Sequence, residues 1–165
     1  MKTDLASEFV DNSAAQQAAA LIRACVHCGF CTATCPTYQL LGDERDSPRG
    51  RIYLSQQMLE GQPVTRTTQQ HLDRCLTCRS CESTCPSGVQ YSHLLDIGRE
   101  LVEQRVPRPL PERYRRAVLN QLLPRRGLFA AALLLGRKFK PFLPPSLQRG
   151  IPDAAPLKSF AGAAH

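Results

Sequence analysis

Two runs, CVHCGFCTATCP at 25–36 and CLTCRSCESTCP at 75–86, hold all eight cysteines of this 165-residue chain in one repeated spacing, Cys-x2-Cys-x2-Cys-x3-Cys-Pro. Any fold of the chain must therefore gather sulfur at two places. A secreted disulfide scaffold scatters its cysteines behind a signal peptide. Here they are clustered, and MKTDLASEFVDNSAAQQAAALIRAC mixes acidic and polar residues with alanines, with no basic start leading into an apolar stretch. The expected location is the cytoplasm, or the inner face of the cell membrane as a peripheral protein. There thiols stay reduced and clustered ones serve as metal ligands. Structural zinc takes four ligands, usually from two separated Cys-x2-Cys knuckles, and leaves no role for the third and fourth cysteine of each run.

The repeated run resembles the bacterial ferredoxin signature, in which three closely spaced thiolates hold three corners of a cubane and the fourth cysteine ligates the other cluster. That resemblance implies two 4Fe-4S clusters. Cys25, Cys28, Cys31 and Cys85 would hold cluster 1, and Cys75, Cys78, Cys81 and Cys35 cluster 2. Such crossing staples the two halves together, which suits a region with few aromatics and no tryptophan. Pro36 and Pro86 each follow a fourth cysteine, where a fixed φ is expected to end the ligand loop.

The 39 residues between Cys35 and Cys75 read as helix. Ser47 can cap, Pro48 suits a first turn, and RGRIYLSQQMLEG sets Ile52, Leu54, Met58 and Leu59 near one face before Gly61. A short helix over roughly Thr67 to Arg74 would deliver Cys75. An alanine-rich helix from Ala14 to Ala24 would deliver Cys25. Downstream, SHLLDIGRELVEQRV has Leu94, Ile97, Leu101 and Val102 at helical spacing. Residues 1–106 are thus expected to form an all-α domain, which is similar to the α-helical ferredoxin fold of succinate dehydrogenase-like and heterodisulfide reductase-like iron–sulfur subunits.

The flanks narrow the resemblance. LIRACVHCGFCTATCPTYQLLGDERDSPRGRIYLSQQMLEG and HLDRCLTCRSCESTCPSGVQYSHLLDIGRELVEQ, continued by RPLPERYRRAVLNQLLPRRGLF, look like the N-terminal part of the iron–sulfur subunit of bacterial glycolate oxidase, a flavin-dependent glycolate dehydrogenase. The resemblance implies a division of labour. Partner subunits with bound FAD or FMN oxidise glycolate to glyoxylate, and this chain relays single electrons toward a membrane acceptor such as quinone. No catalytic residue is expected in this chain, which shows no dinucleotide fingerprint, no GxxxxGK[ST] loop and no histidine set against a carboxylate as a general base. Competing readings are the iron–sulfur subunit of a lactate or glycerol 3-phosphate dehydrogenase, or of a heterodisulfide reductase-like complex. An iron–sulfur sensor that binds nucleic acid is a further class, disfavoured because no helix-turn-helix pattern or aromatic platform accompanies the basic residues. Members of the glycolate oxidase family also carry later repeats with Cys-Cys-Gly motifs, for which these residues hold no counterpart, so nothing assigned to that half transfers.

Charge divides the chain. Residues 1–98 hold 8 Lys+Arg against 10 Asp+Glu, whereas residues 99–165 hold 13 against 4. Residues 107–165 are expected to form a Pro- and Arg-rich linker and helical tail. VPRPLP reads as extended, PERYRRAVLNQLL as a helix begun by Pro111 and Glu112, and PFLPPSLQRGIPDAAPLKSFAGAAH as a linker. LFAAALLLG at 128–136 is too short to span a bilayer. Flanked by Arg125, Arg126, Arg137, Lys138 and Lys140, it suits an anionic surface or, as the preferred reading, packing against partner subunits. Within the runs, Arg79 occupies the position of Gly29 and would either raise the potential of its cluster or pair with Glu82. Gly29 would allow close backbone approach, and His27 is expected to be an exposed loop residue.

Overall fold

In the computed structural model, which describes residues 1–142, 148 and 150, every regular element among the described residues is helical. Residues fall into two units, Met1–Arg108 and Pro109–His165. The first contains six α-helices: α1 (Ser13–Ala24), α2 (Pro36–Leu41), α3 (Pro48–Leu59), α4 (Arg66–Asp73), α5 (Ser80–Ser83) and α6 (Tyr91–Arg105). Each of the four longer ones has a local cause. Asn12 caps α1 by accepting from Ala15 N–H, and Ser47 caps α3 by accepting from Gly50 N–H with Pro48 at the first position. Thr65 and Thr68 form a reciprocal capping box at α4. Leu94, Leu95, Ile97, Leu101 and Val102 give α6 a stripe broad enough to pack against α1, α3 and α4 together.

The core is built between these helices from Ala15, Ala18, Ile22, Ile52, Met58, Leu59, Leu72 and the α6 stripe. The small alanines of α1 let it lie close to α6. Gly98 serves the same purpose on α6, since a Cβ there would meet Ser55 Oγ of α3 at 3.1 Å. The N-terminal residues contribute as well: Phe9 is buried, Ala6 N–H donates to Leu59 O at 2.9 Å, and Arg105 stacks over the Phe9 ring at 4.5 Å.

One local expectation is corrected. Leu54 is only half-buried, because the inward face of α3 is partly polar and carries Arg51, Ser55 and Gln56. Pro36 ends the first ligand loop by starting α2 from its first position, where a missing N–H costs nothing. Residues 106–109 lie outside any helix, as expected of VPRPLP, and Arg108 within them is buried and bonds both Asp73 and Glu103 at 2.6 Å.

In the second unit, α7 (Leu110–Leu122) and α8 (Arg126–Lys138) form around an apolar groove lined by Tyr114, Val118, Leu122 and Leu128. No helix among the described residues is long and apolar enough to cross a membrane. The expected linker from Pro141 onward lies almost wholly outside the described residues.

Candidate metal centre

The two cysteine runs adopt one backbone shape twice. His27 and Gly29 have φ of 57° and 85°, and their counterparts Thr77 and Arg79 have 56° and 60°. Left-handed residues at alternate positions curl a chain tightly and turn successive N–H groups toward a concave, anion-receiving face. The third cysteine of each run then sits on a short helical turn, the 3-10 turn Phe30–Thr32 or α5. Equivalent hydrogen bonds close the turns: Thr32 N–H to Gly29 O and Glu82 N–H to Arg79 O, both 2.9 Å, then Cys35 N–H to Thr32 O at 3.3 Å and Cys85 N–H to Glu82 O at 3.1 Å.

Tertiary packing brings the thiols into two adjoining cavities of ≈ 400 and ≈ 430 Å³, mouths included. Cys35, Cys75, Cys78 and Cys81 line one; Cys25, Cys28, Cys31 and Cys85 line the other, with Cys81, Pro48 and Tyr91 bordering both. The fourth cysteine of each run therefore faces the first three of the other. All eight thiols are free. Cys25, Cys35 and Cys81 are buried, while Cys28 and Cys78 are exposed.

Electrostatics fit a cationic occupant. Burial, followed by the nearby Cys75, Cys31 and Cys35, pushes the Cys81 thiol up to about 12. Cys31 is raised for the same chief reason, partly offset by the Arg49 N–H. Cys78 is lowered by the backbone N–H and then the hydroxyl of Ser80. Thiols so crowded ionise together only with positive charge between them, which bound iron would supply. Tyr91 fits too. Its hydroxyl is buried at the shared wall and makes no hydrogen bond among the described residues, as expected of a donor whose acceptor is an inorganic or ligand sulfur.

The residues singled out between the cysteines fall into place differently. Arg79 is exposed and donates to Glu82 Oε2 at 2.8 Å, so its charge is neutralised locally. His27 is exposed with Nδ1 3.0 Å from Met1 Sδ. At Gly29 a Cβ would sit 2.6 Å from Arg49 Nη1, so the close approach is to that side chain.

A buried polar cluster beside the first cavity carries no motif and was not legible in the sequence. Asp46 is fully buried and receives Arg51 at 3.4 Å, His71 Nδ1 at 3.0 Å and Arg74 at 2.9 Å. Arg51 also donates to His71 O at 2.7 Å and to Thr37 Oγ1 at 3.2 Å, and Thr37 Oγ1 lies 3.2 Å from Cys35 Sγ. Asp43, Asp46 and His71 are grouped closely enough for a cation, but guanidinium groups already engage both Asp46 oxygens. From α6, Arg99 donates to the carbonyls of Leu72, Asp73 and Cys75 at 2.8–3.3 Å, capping α4 and fixing the start of the second ligand loop.

Comparison with known proteins agrees with this architecture. The family model described as 4Fe-4S dicluster domain matches residues 21–89. The glycolate oxidase iron-sulfur subunit of Escherichia coli (strain K12) is 60% identical over 152 residues, 92% of this chain and 37% of that protein. The probable glycolate oxidase iron-sulfur subunit of Bacillus subtilis is 39% identical over 114 residues, 67% of this chain and 26% of that protein. A ferredoxin:CoB-CoM heterodisulfide reductase subunit of Methanosarcina mazei is 30% identical over 105 residues, 60% of this chain and 58% of that protein. The chain thus spans well under half the length of the two glycolate oxidase relatives. No solved structure gives a significant match.

Proposed function

The chain corresponds to the N-terminal dicluster region of the glycolate oxidase iron–sulfur subunits, and on that premise we propose that it relays electrons from a flavin-containing partner subunit, which oxidises glycolate to glyoxylate, toward a membrane acceptor such as quinone. In this assignment Cys25, Cys28, Cys31 and Cys85 hold one 4Fe-4S cluster and Cys75, Cys78, Cys81 and Cys35 the other. The supporting observation is the pair of adjoining cavities, each lined by three cysteines of one run and the fourth of the other, with Cys81 and Tyr91 in the wall between. When bound, each cluster accepts and returns one electron at a time.

The protein's own residues position and insulate. Ile52, Val89 and Leu95 exclude water from the cavities, Arg99 bonds the carbonyls at the start of the second ligand loop, and left-handed residues curl both loops. Cys28 and Cys78 are exposed, as are Val26 and Leu76 at matching positions of the two loops. Those two faces are where an electron enters and leaves.

Anaerobically prepared protein is expected to hold about eight iron atoms per chain, with broad visible absorption bleached by dithionite. In the native complex, glycolate should bleach the partner's flavin and then reduce the clusters. A colourless zinc-loaded product, or far fewer irons with no paramagnetic signal after reduction, sinks the proposal.

A further inference from the structure

We propose that Arg51 and Arg99 hold the midpoint potential of the site formed by Cys35, Cys75, Cys78 and Cys81 above that of the site formed by Cys25, Cys28, Cys31 and Cys85, so that an electron shared by the pair rests at the former. The inference rests on the ligand assignment proposed above. A fixed positive charge favours the more negative, reduced form of a nearby cluster, and does so more strongly where water cannot screen it.

The two sites differ in just this respect. Arg51 is 1% exposed and lines the cavity of Cys35, Cys75, Cys78 and Cys81. Its carboxylate partner, Asp46, is shared with Arg74, which is half exposed, and the neighbouring Asp43 is paired with Arg45, so Asp46 does not answer Arg51 alone. Arg99 adds a second guanidinium at the same loop. Its donors go to Leu72 O, Asp73 O, Cys75 O and Thr77 Oγ1, with no carboxylate among its partners in the described residues.

The other cavity is lined by Arg49, whose guanidinium meets Glu44 at 2.5 Å with both side chains a third or more exposed. The Met1 ammonium also lies there, half-buried, donating to Cys25 O at 2.9 Å. Arg49 is therefore screened and answered by Glu44, and the Met1 ammonium is only half-buried where Arg51 is 1% exposed. Burial, more than the number of cations, sets the two sites apart. Arg79, the charged residue inside the second run, contributes little because Glu82 neutralises it at the surface.

The test is an EPR-monitored redox titration of the iron-loaded full chain, with the signals assigned by their response to Cys78→Ser and Cys28→Ser. Arg51→Gln is expected to lower the higher midpoint by an amount that shifts the reduced-to-oxidised ratio at fixed poise at least about tenfold, ~59 mV for one electron. The lower midpoint should stay in place, and Arg51→Lys, which keeps the charge, should restore the higher one. If Arg51→Gln does not take up iron, Arg99→Gln, closer to the surface, is read in the same way with a smaller expected shift. Both midpoints unmoved in an iron-replete charge-removing variant overturns the inference, as does a shift confined to the lower midpoint. Failure of the dicluster assignment is separate: it shows in the iron content and EPR of the unmodified chain before any variant is made.

Discussion

At the scale of single residues, the eight cysteines were legible because metal ligation needs one residue type at fixed spacing. The residues that tune the site were not, because nothing in a string marks an arginine or tyrosine that will be buried beside sulfur. Tyr91 shows the difference. It begins α6 and looks like an ordinary core aromatic, yet its hydroxyl faces the wall between the cavities beside Cys75, and burial first, then Cys75, holds its ionisation well above 10. Tyr91→Phe keeps the ring and removes only the donor. Loaded protein carrying it should lose ~1 kcal/mol of cluster binding, a factor of about five, seen as faster anaerobic release of iron to a chelator. An unchanged release rate would mean that the hydroxyl has no sulfur acceptor.

At the scale of elements, helix positions followed from caps and periodicity, and α1, α3, α4 and α6 begin and end within two residues of the expected Ala14 to Ala24, RGRIYLSQQMLEG, Thr67 to Arg74 and SHLLDIGRELVEQRV. What α3 buries was misjudged. Apolar periodicity assigned Leu54 to its inner face, but Arg51 takes such a position, and its buried guanidinium is tolerable only because Asp46, His71 O and Thr37 receive it. The entry to α3 is equally specific. A Cβ at Gly50 would stand 1.9 Å from Glu44 O and 2.8 Å from Glu44 C, both backbone atoms that cannot rotate away. Gly50→Ala should therefore destabilise the domain by at least ~1–3 kcal/mol. Gly98→Ala, whose nearest contact is Ser55 Oγ at 3.1 Å, should cost less. Thermal melts of the two loaded variants check the order, and equal melting points would show that the Glu44 turn yields.

At the scale of the whole molecule, the unit Met1–Arg108 holds every cysteine, while the helices of the second unit leave Leu110, Tyr114, Leu123, Leu134 and Leu135 exposed among arginines. An exposed apolar face with basic neighbours binds anionic lipid through burial plus charge, and salt weakens the second contribution. This exposure departs from the partner-packing reading preferred on sequence, and the full chain is expected to sediment with vesicles rich in anionic lipid and less so as salt rises. A chain ending at Arg108 should keep its visible absorption and lose that binding. Equal sedimentation with neutral vesicles, or none at all, would assign α7 and α8 to packing against partner subunits instead.

From the sequence alone came the number of metal sites, the ligand residues expected for them and the helical class, since each depends on local chemistry repeated at short range. Which thiols share a cavity, and which charges lie beside them unscreened, depend on residues tens of positions apart. Cys35 meets the loop of Cys75, and Arg51 meets Asp46 and His71, only once α3, α4 and α6 have packed. Ligand type is a property of the chain; dielectric surroundings are a property of the fold, because burial exists only after folding has excluded water.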